Sequence, residues 1–199
     1  MIDRLELWIF RYRGILPLPF LAVAVMTSNT SPFASPFHVA LDVLGIGAAA
    51  AGLGLRCWAV GHAGAHTRSY RLRAPRLVTG GPYARVRNPI YLGNFLIGLG
   101  VTMVAQSWPA FLVFLVGFAV EYGPIVSLEE RYLAETFGDT YDEYRRRVPR
   151  WLPRLATAPA GPRGAFSWRA IRKEYQALLS ALGMVSTIEF AEWLRWLGR

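Results

Sequence analysis

The layout of charge constrains this chain more than any single motif. Over 199 residues, long uncharged apolar runs alternate with short arginine-rich stretches. A soluble domain spreads its charges over one continuous surface. A run of roughly twenty apolar residues is instead long enough to cross a bilayer as a helix. The runs are too many to be a signal peptide followed by a soluble domain. With 53% hydrophobic residues, the chain reads as an all-α integral membrane protein, a small bundle of about four to five transmembrane helices.

The net charge of +9 follows the same layout. The arginines lie between the spans, which fits a positive-inside bias and anionic lipid headgroups better than a nucleic-acid footprint. No nucleic-acid partner is expected; membrane lipids are. Cys57 is the single cysteine, so no intramolecular disulfide or cysteine-based zinc site can form, and Cys57 reads as packing.

Met1–Arg13 interleaves Leu5, Trp8 and Ile9 with Arg4, Arg11 and Arg13, the pattern of an interfacial anchor. The uncharged stretch from Gly14 begins a first span, broken by Pro17 and Pro19 near its start and by polar turn residues from Ser28. Val39–Val60 is the second span. Gly45, Gly47, Gly52 and Gly54 make it a close-packing helix, with Asp42 and Arg56 placed at opposite interfaces. Gly61–Arg87 is a basic loop without an acid. Pro89–Ser107 is the third span, and Phe111 to about Leu128 the fourth, carrying Glu121 and kinked near Pro124. Glu129–Arg150 is a polar helix with a break at Gly138. In Trp168–Trp196 the apolar stretch Ala177–Ile188 is short and flanked by charge. It favours an interfacial or half-buried helix, with a fifth span as the alternative. Almost every basic residue then faces one side, assigned to the cytoplasm.

Two places carry chemistry. Asn88 and Pro89 form a cap and a first helical position at the mouth of the third span, where the positive helix end meets a basic loop. Such a place holds a carboxylate or phosphate. Glu129 and Glu130 leave the fourth span at the same face. Neighbouring helical residues point about 100° apart, so these carboxylates do not share a proton. One can take a ligand's amine or hydroxyls while the other pairs with an arginine. Glu121 is costly within an apolar run and is a candidate for catalysis or for an arginine-paired structural role. His62 and His66 share a helix face, but no third ligand accompanies them, so no metal site is expected. A pocket between these two places, polar toward the cytoplasm and apolar toward lipid, suits a charged soluble cofactor meeting a lipophilic substrate.

At these residues the chain resembles the isoprenylcysteine carboxyl methyltransferase and phospholipid methyltransferase superfamily of membrane enzymes. The matching pieces are Leu77-Val78-Thr79-Gly80-Gly81-Pro82-Tyr83, Arg87-Asn88-Pro89-Ile90-Tyr91-Leu92-Gly93, Gly98-Leu99-Gly100, Glu129-Glu130, and Phe137-Gly138 with Tyr141 and Tyr144. They cover roughly His62 to Pro153. The resemblance implies S-adenosylmethionine as methyl donor and three parts: N-terminal membrane helices over 1–60, a methyltransferase core over 61–155, and a C-terminal loop and helix over 156–199. It implies that Leu77, Val78, Gly81 and Tyr83 line the cofactor and that Arg87, Asn88, Pro89 and Tyr91 continue its pocket. Gly98 and Gly100 would allow close approach, and Glu129 and Glu130 would bind or position it. His62 resembles a histidine common shortly before this core. Many members carry Arg-His-Pro where this chain has Arg87-Asn88-Pro89. Asn can hydrogen-bond there but cannot act as a base.

The expected reaction is in-line methyl transfer to a lipophilic carboxylate, thiol or amine at the cytoplasmic membrane face. An amine must lose a proton, a task for Glu121, Glu129 or Tyr144. The alternatives are an NADPH-dependent reductase of the sterol reductase type, or a non-catalytic membrane scaffold. The arginine- and alanine-rich composition suggests a bacterial inner membrane.

Overall fold

The computed structural model of the chain describes residues 17–28, 35–64, 74–155 and 166–198. The amphipathic start Met1–Arg13, together with His66, Arg68, Arg71 and Arg73 of the basic loop, lies outside the described residues. Seven α-helices are described: α1 (Pro17–Thr27), α2 (Pro36–Ala63), α3 (Pro89–Ala105), α4 (Trp108–Phe137), α5 (Asp139–Arg147), α6 (Trp168–Ile171) and α7 (Tyr175–Leu197). No strand occurs among the described residues. α2, α4 and the continuous stretch Trp168–Leu197 are long and apolar enough to cross a membrane, while α1 and α3 are shorter apolar helices packed among them. The protein is an all-α integral membrane bundle.

Glycine spacing sets the tightest packing. α2 and α3 run antiparallel, with Gly45 opposite Gly100 and Gly52 opposite Gly93. A Cβ on Gly45 would lie 2.7 Å from the Gly100 carbonyl oxygen, and one on Gly52 would lie 2.6 Å from that of Gly93. In each helix the two glycines are seven residues apart, about two turns, so they share one face. Gly47 and Gly54 meet nothing on their side. Only half of the glycine pattern in α2 is therefore a contact.

The opposite end of the bundle has an aliphatic and aromatic core. Phe20 and Ala24 of α1, Val101 and Ala105 of α3, Ala110 and Phe114 of α4 and Ile188 of α7 are buried together there. The outward faces are apolar too: Leu112, Val116 and Val120 recur every fourth residue on α4 and are exposed. In a membrane bundle such a stripe faces lipid. The 30 residues of α4 rise about 45 Å, beyond the roughly 30 Å of hydrocarbon, so its charged end projects past the membrane. Pro124 lies inside this one continuous helix. Gly138 then turns with φ +50°, and α5 folds back.

The C-terminal helix differs from the interfacial reading. It crosses the full height of the bundle. Glu174, just before α7, pairs with Arg56 at one end, and Arg195 donates to the Met26 carbonyl (3.3 Å) and to Ser28 at the other. Glu174 and Arg195 thus find partners on α2 and at the end of α1, which composition cannot show. One arginine therefore sits on the face opposite the basic loop.

Candidate active site

The site forms where three segments meet at the basic face: the turn before α3, the first turns of α3, and the end of α4. The turn is a short 3-10 helix, Gly81–Ala84. Gly81 adopts φ +60°, and a Cβ there would lie 2.5 Å from His62 Nε2, so the turn rests directly on the histidine ring. His62 is held in turn by a 2.9 Å bond between Nδ1 and the Trp58 carbonyl. Leu77 packs on the buried trio Tyr141, Tyr144 and Val148, and Val78 is half-buried on the stretch leading into the turn.

Tyr144 belongs to this support. Its hydroxyl donates to the Tyr83 carbonyl at 2.9 Å. Burial, above all, raises its proton affinity, and the neighbouring hydroxyls of Tyr83 and Tyr141 add to this. A phenol that keeps its proton and spends it on a backbone carbonyl buttresses the turn. Two backbone bonds complete the support: Arg87 N–H to Pro149 O (2.9 Å) and Arg154 N–H to Arg85 O (3.0 Å).

Asn88 occupies the N-cap position of α3, but its side chain makes no capping bond. Its amide instead donates to Glu130 Oε1 (3.0 Å) and to the Arg150 carbonyl (3.3 Å). Pro89 follows as the first helical residue and is buried. Arg87 grips the same carboxylate with two donors, Nε to Oε1 at 3.1 Å and Nη2 to Oε2 at 3.3 Å, and its Nη1 reaches the Arg145 carbonyl at 3.0 Å. Arg150 adds an ion pair to Glu130 Oε2 at 3.4 Å. Glu130 is thus fully engaged in holding the loop, α3 and the segment after α5 together. Charge-assisted, two-pronged bonds of this kind are the strong ones.

Glu129 points elsewhere, as two adjacent helical positions must. Its Oε1 accepts the Tyr91 hydroxyl at 2.6 Å. The Tyr83 hydroxyl has its proton affinity raised by burial first and by Glu129 second, while Arg56 opposes them. Glu129 and Arg56 both lie within electrostatic reach of the Tyr83 hydroxyl.

The remaining expected residues are not brought here. Gly98 lies against the Phe114 ring and Gly100 against the Gly45 backbone, so their smallness serves helix packing deep in the bundle. Glu121 is buried on the face of α4 that carries Phe114 and Ile125. It stands eight residues before Glu129, about 12 Å along the axis. Among the described residues no group of three potential metal ligands occurs.

Sequence reasoning missed a second polar cluster, one turn deeper. Arg56, expected at an interface, lies inside the bundle. Its Nε and Nη2 meet Glu174 Oε2, each at 2.9 Å, and its Nη1 donates to Asn94 Oδ1. Asn94 passes a 3.0 Å bond to the Tyr122 hydroxyl, and the Tyr122 ring lies 5.2 Å from that of Tyr91. The signal was available: Tyr91 and Asn94 are three apart and so share a face, and a polar side chain within a span asks for a partner.

A membrane helical bundle with adjacent glutamates at a basic helix mouth, one of them bound to it, defines a class: small integral membrane proteins with an interfacial polar site. The comparisons narrow it. Residues 41–140 match the phospholipid methyltransferase family model, which is half of the chain, and the chain belongs to that family. It is 31% identical over 142 residues to the cobalt-zinc-cadmium resistance protein CzcN of Cupriavidus metallidurans, covering 71% of this chain and 59% of that one. It is 39% identical over 77 residues to protein-S-isoprenylcysteine O-methyltransferase of Schizosaccharomyces pombe, covering 39% and 33%. It is 35% identical over 102 residues to methanethiol S-methyltransferase 2 of Bradyrhizobium diazoefficiens, covering 51% and 36%. The chain thus spans no more than about three fifths of the length of these curated relatives.

Proposed function

We propose that this protein transfers a methyl group from S-adenosylmethionine to a lipophilic acceptor at the membrane face that carries the basic loop, on the cytoplasmic side of a bacterial inner membrane. The observation that carries the reading is the division of labour between two adjacent carboxylates. Glu130 is held by Arg87, Asn88 and Arg150, while Glu129 accepts the Tyr91 hydroxyl. The family membership and two relatives named as methyltransferases support it. The comparisons lend no support to the reductase alternative.

The residues present fit the donor. The first turn of α3 has no side-chain cap, and its positive end suits the donor's carboxylate. Glu129 suits its ammonium or ribose hydroxyls. Tyr83 and the Gly81 turn offer a ring and backbone above them. When bound, the donor supplies a sulfonium methyl that an acceptor's lone pair takes while the carbon–sulfur electrons remain on sulfur. The protein aligns the two partners and excludes water. Asn88, already spent on Glu130, has no part in moving a proton. The acceptor belongs among oxygen and thiol nucleophiles, in keeping with the O- and S-methyltransferase names of two relatives.

The test is calorimetric binding of S-adenosylhomocysteine to the detergent-purified protein, beside NADPH. Micromolar binding that weakens about tenfold in Glu129→Gln, with an unchanged melting temperature, is expected. Binding of NADPH without S-adenosylhomocysteine would sink the proposal.

A further inference from the structure

Two groups of arginines line the face that carries the basic loop, and their surroundings differ. On α5 each has local company. Arg145 pairs with Asp142 at 3.0 Å, Arg147 pairs with Glu143, and Arg146 donates to the Asp142 carbonyl at 3.3 Å. At the end of α2 the company is aromatic instead. Arg76 and Arg85 are exposed, and among the described residues no carboxylate pairs with either. Arg76 donates to the His62 carbonyl at 3.4 Å. Arg85 follows the Gly81–Ala84 turn, and its guanidinium lies 6.0 Å from the centre of the Trp58 ring. Trp58 and His62 are four residues apart, so the two arginines are tethered one turn apart on α2. Trp58 is 39% exposed. Beside it, the Phe166 ring lies 5.1 Å from that of His62 and 5.0 Å from that of Trp168, which is 74% exposed. The Ser167 N–H donates to the Gly61 carbonyl at 2.8 Å, which brings the exposed Arg169 and Arg172 to this end of α2.

We propose that this patch is a binding site for the headgroup of an anionic phospholipid, with its phosphate held between Arg76 and Arg85 against Trp58. Exposed indoles and arginines side by side mark the depth at which bilayer headgroups lie. An aromatic ring attracts a guanidinium without neutralising it, so Arg85 retains its charge and its fork of N–H donors. That fork matches two oxygens of a phosphate, and the bond is charge-assisted. Arg76 adds a second positive charge, and Arg169 and Arg172 add to the local field. A zwitterionic headgroup fits less well, because its ammonium meets the arginines as a like charge. A free phosphate lacks the acyl chains that hold a lipid at this depth. The α5 arginines differ in kind: with Asp142 and Glu143 beside them, their charge is already answered within the helix.

The inference uses only the membrane bundle and stands apart from the methyl-transfer reading. Native mass spectrometry of the full chain, released from detergent micelles, tests it with phosphatidylglycerol, phosphatidylcholine and inorganic phosphate as separate probes. Three paired variants are compared: Arg76→Gln/Arg85→Gln, Arg76→Lys/Arg85→Lys, and Arg146→Gln/Arg147→Gln, which removes the same charge from α5. Wild type should bind phosphatidylglycerol at least about tenfold more tightly than phosphatidylcholine, and Arg76→Gln/Arg85→Gln should lose about tenfold in affinity for it. The lysine pair keeps the charge without the fork and should fall between the two. The α5 pair should stay within about threefold of wild type. Equal losses in the two glutamine pairs would show attraction by net charge alone and overturn the inference. So would equal binding of the two lipids, or displacement of phosphatidylglycerol by inorganic phosphate at equal concentration, which would mark a site for the free anion. If Arg76→Gln/Arg85→Gln melts well below wild type, the lysine pair decides, and wild-type affinity there overturns the inference.

Discussion

Two arginine–glutamate pairs sit about a turn apart in depth and behave differently. At the mouth, Arg87 spends Nε, Nη1 and Nη2 on Glu130 and a backbone carbonyl, and Glu130 also receives Asn88 and Arg150. Deeper in, Arg56 meets Glu174 Oε2 through Nε and Nη2 and donates from Nη1 to Asn94. The outer pair is saturated and joins three segments of chain. The inner pair joins α2, α3 and the segment before α7. The carboxylates differ most: Glu174 is 2% exposed and sealed within the bundle, whereas Glu130 is 17% exposed at its rim.

The comparison breaks most severely at Glu130. Glu130→Gln removes both ion pairs and leaves Arg87, 14% exposed, without its counter-charge. A loss of about 3 kcal/mol is expected, because an uncompensated half-buried charge is the costly outcome. Denaturant unfolding in mild detergent measures it. The outer pair would not be architectural if Glu130→Gln unfolded at the wild-type midpoint while losing only ligand binding.

Gly93→Val attacks the inner pair without touching either ion. Its branched side chain would collide with the Arg56 stem and the Gly52 backbone. Overpacking of this kind costs about 1–3 kcal/mol. Gly47→Ala, on the open side of α2, should change the melting temperature by less than one degree or raise it slightly, since Ala favours the helix by about 1 kcal/mol at most. Equal effects of the two substitutions would mean that α2 and α3 do not pack through Gly52 and Gly93.

The smallest effect concerns the support beneath the outer pair. Tyr141 is buried behind it, and burial first, then the Glu130 charge, push its hydroxyl up to about 12 against the opposing pull of Arg87, Arg145 and Arg150. The folded state holds this proton more tightly than the unfolded chain, whose tyrosines titrate near 10. The resulting stability is fully present below pH 10 and is lost as pH rises toward 12. Tyrosinate absorbance followed between these values should show Tyr141 ionising together with unfolding. A Tyr141 that titrates near 10 in the folded protein would place it at the surface.

Much of this was legible in the chain. Uncharged runs beyond the length of a soluble helix, broken by arginines, admit few structures other than a membrane bundle, because backbone amides in lipid must pair within their own segment. Adjacent positions on one helix point about 100° apart, so a split of duties between Glu129 and Glu130 could be read from their neighbouring numbers. What could not be read was which carboxylate took which duty. Asn88 was legible as a cap and became a donor to Glu130, because a side chain at that position chooses between its own helix and a neighbour 42 residues away. Gly98 and Gly100 were read beside a ligand and lie against Phe114 and Gly45. Small residues announce a close approach without naming what approaches.

Local order therefore belongs to the chain itself: apolar length, glycine pitch, caps and turns act over a few residues and leave their period in the sequence. Partner choice does not. Arg56 with Glu174 spans 118 residues and Arg195 with Ser28 spans 167. Pairs so distant carry no spacing rule, and only the packing of α1, α2 and α7 decides that these arginines meet their partners in the bundle and not water at its edge.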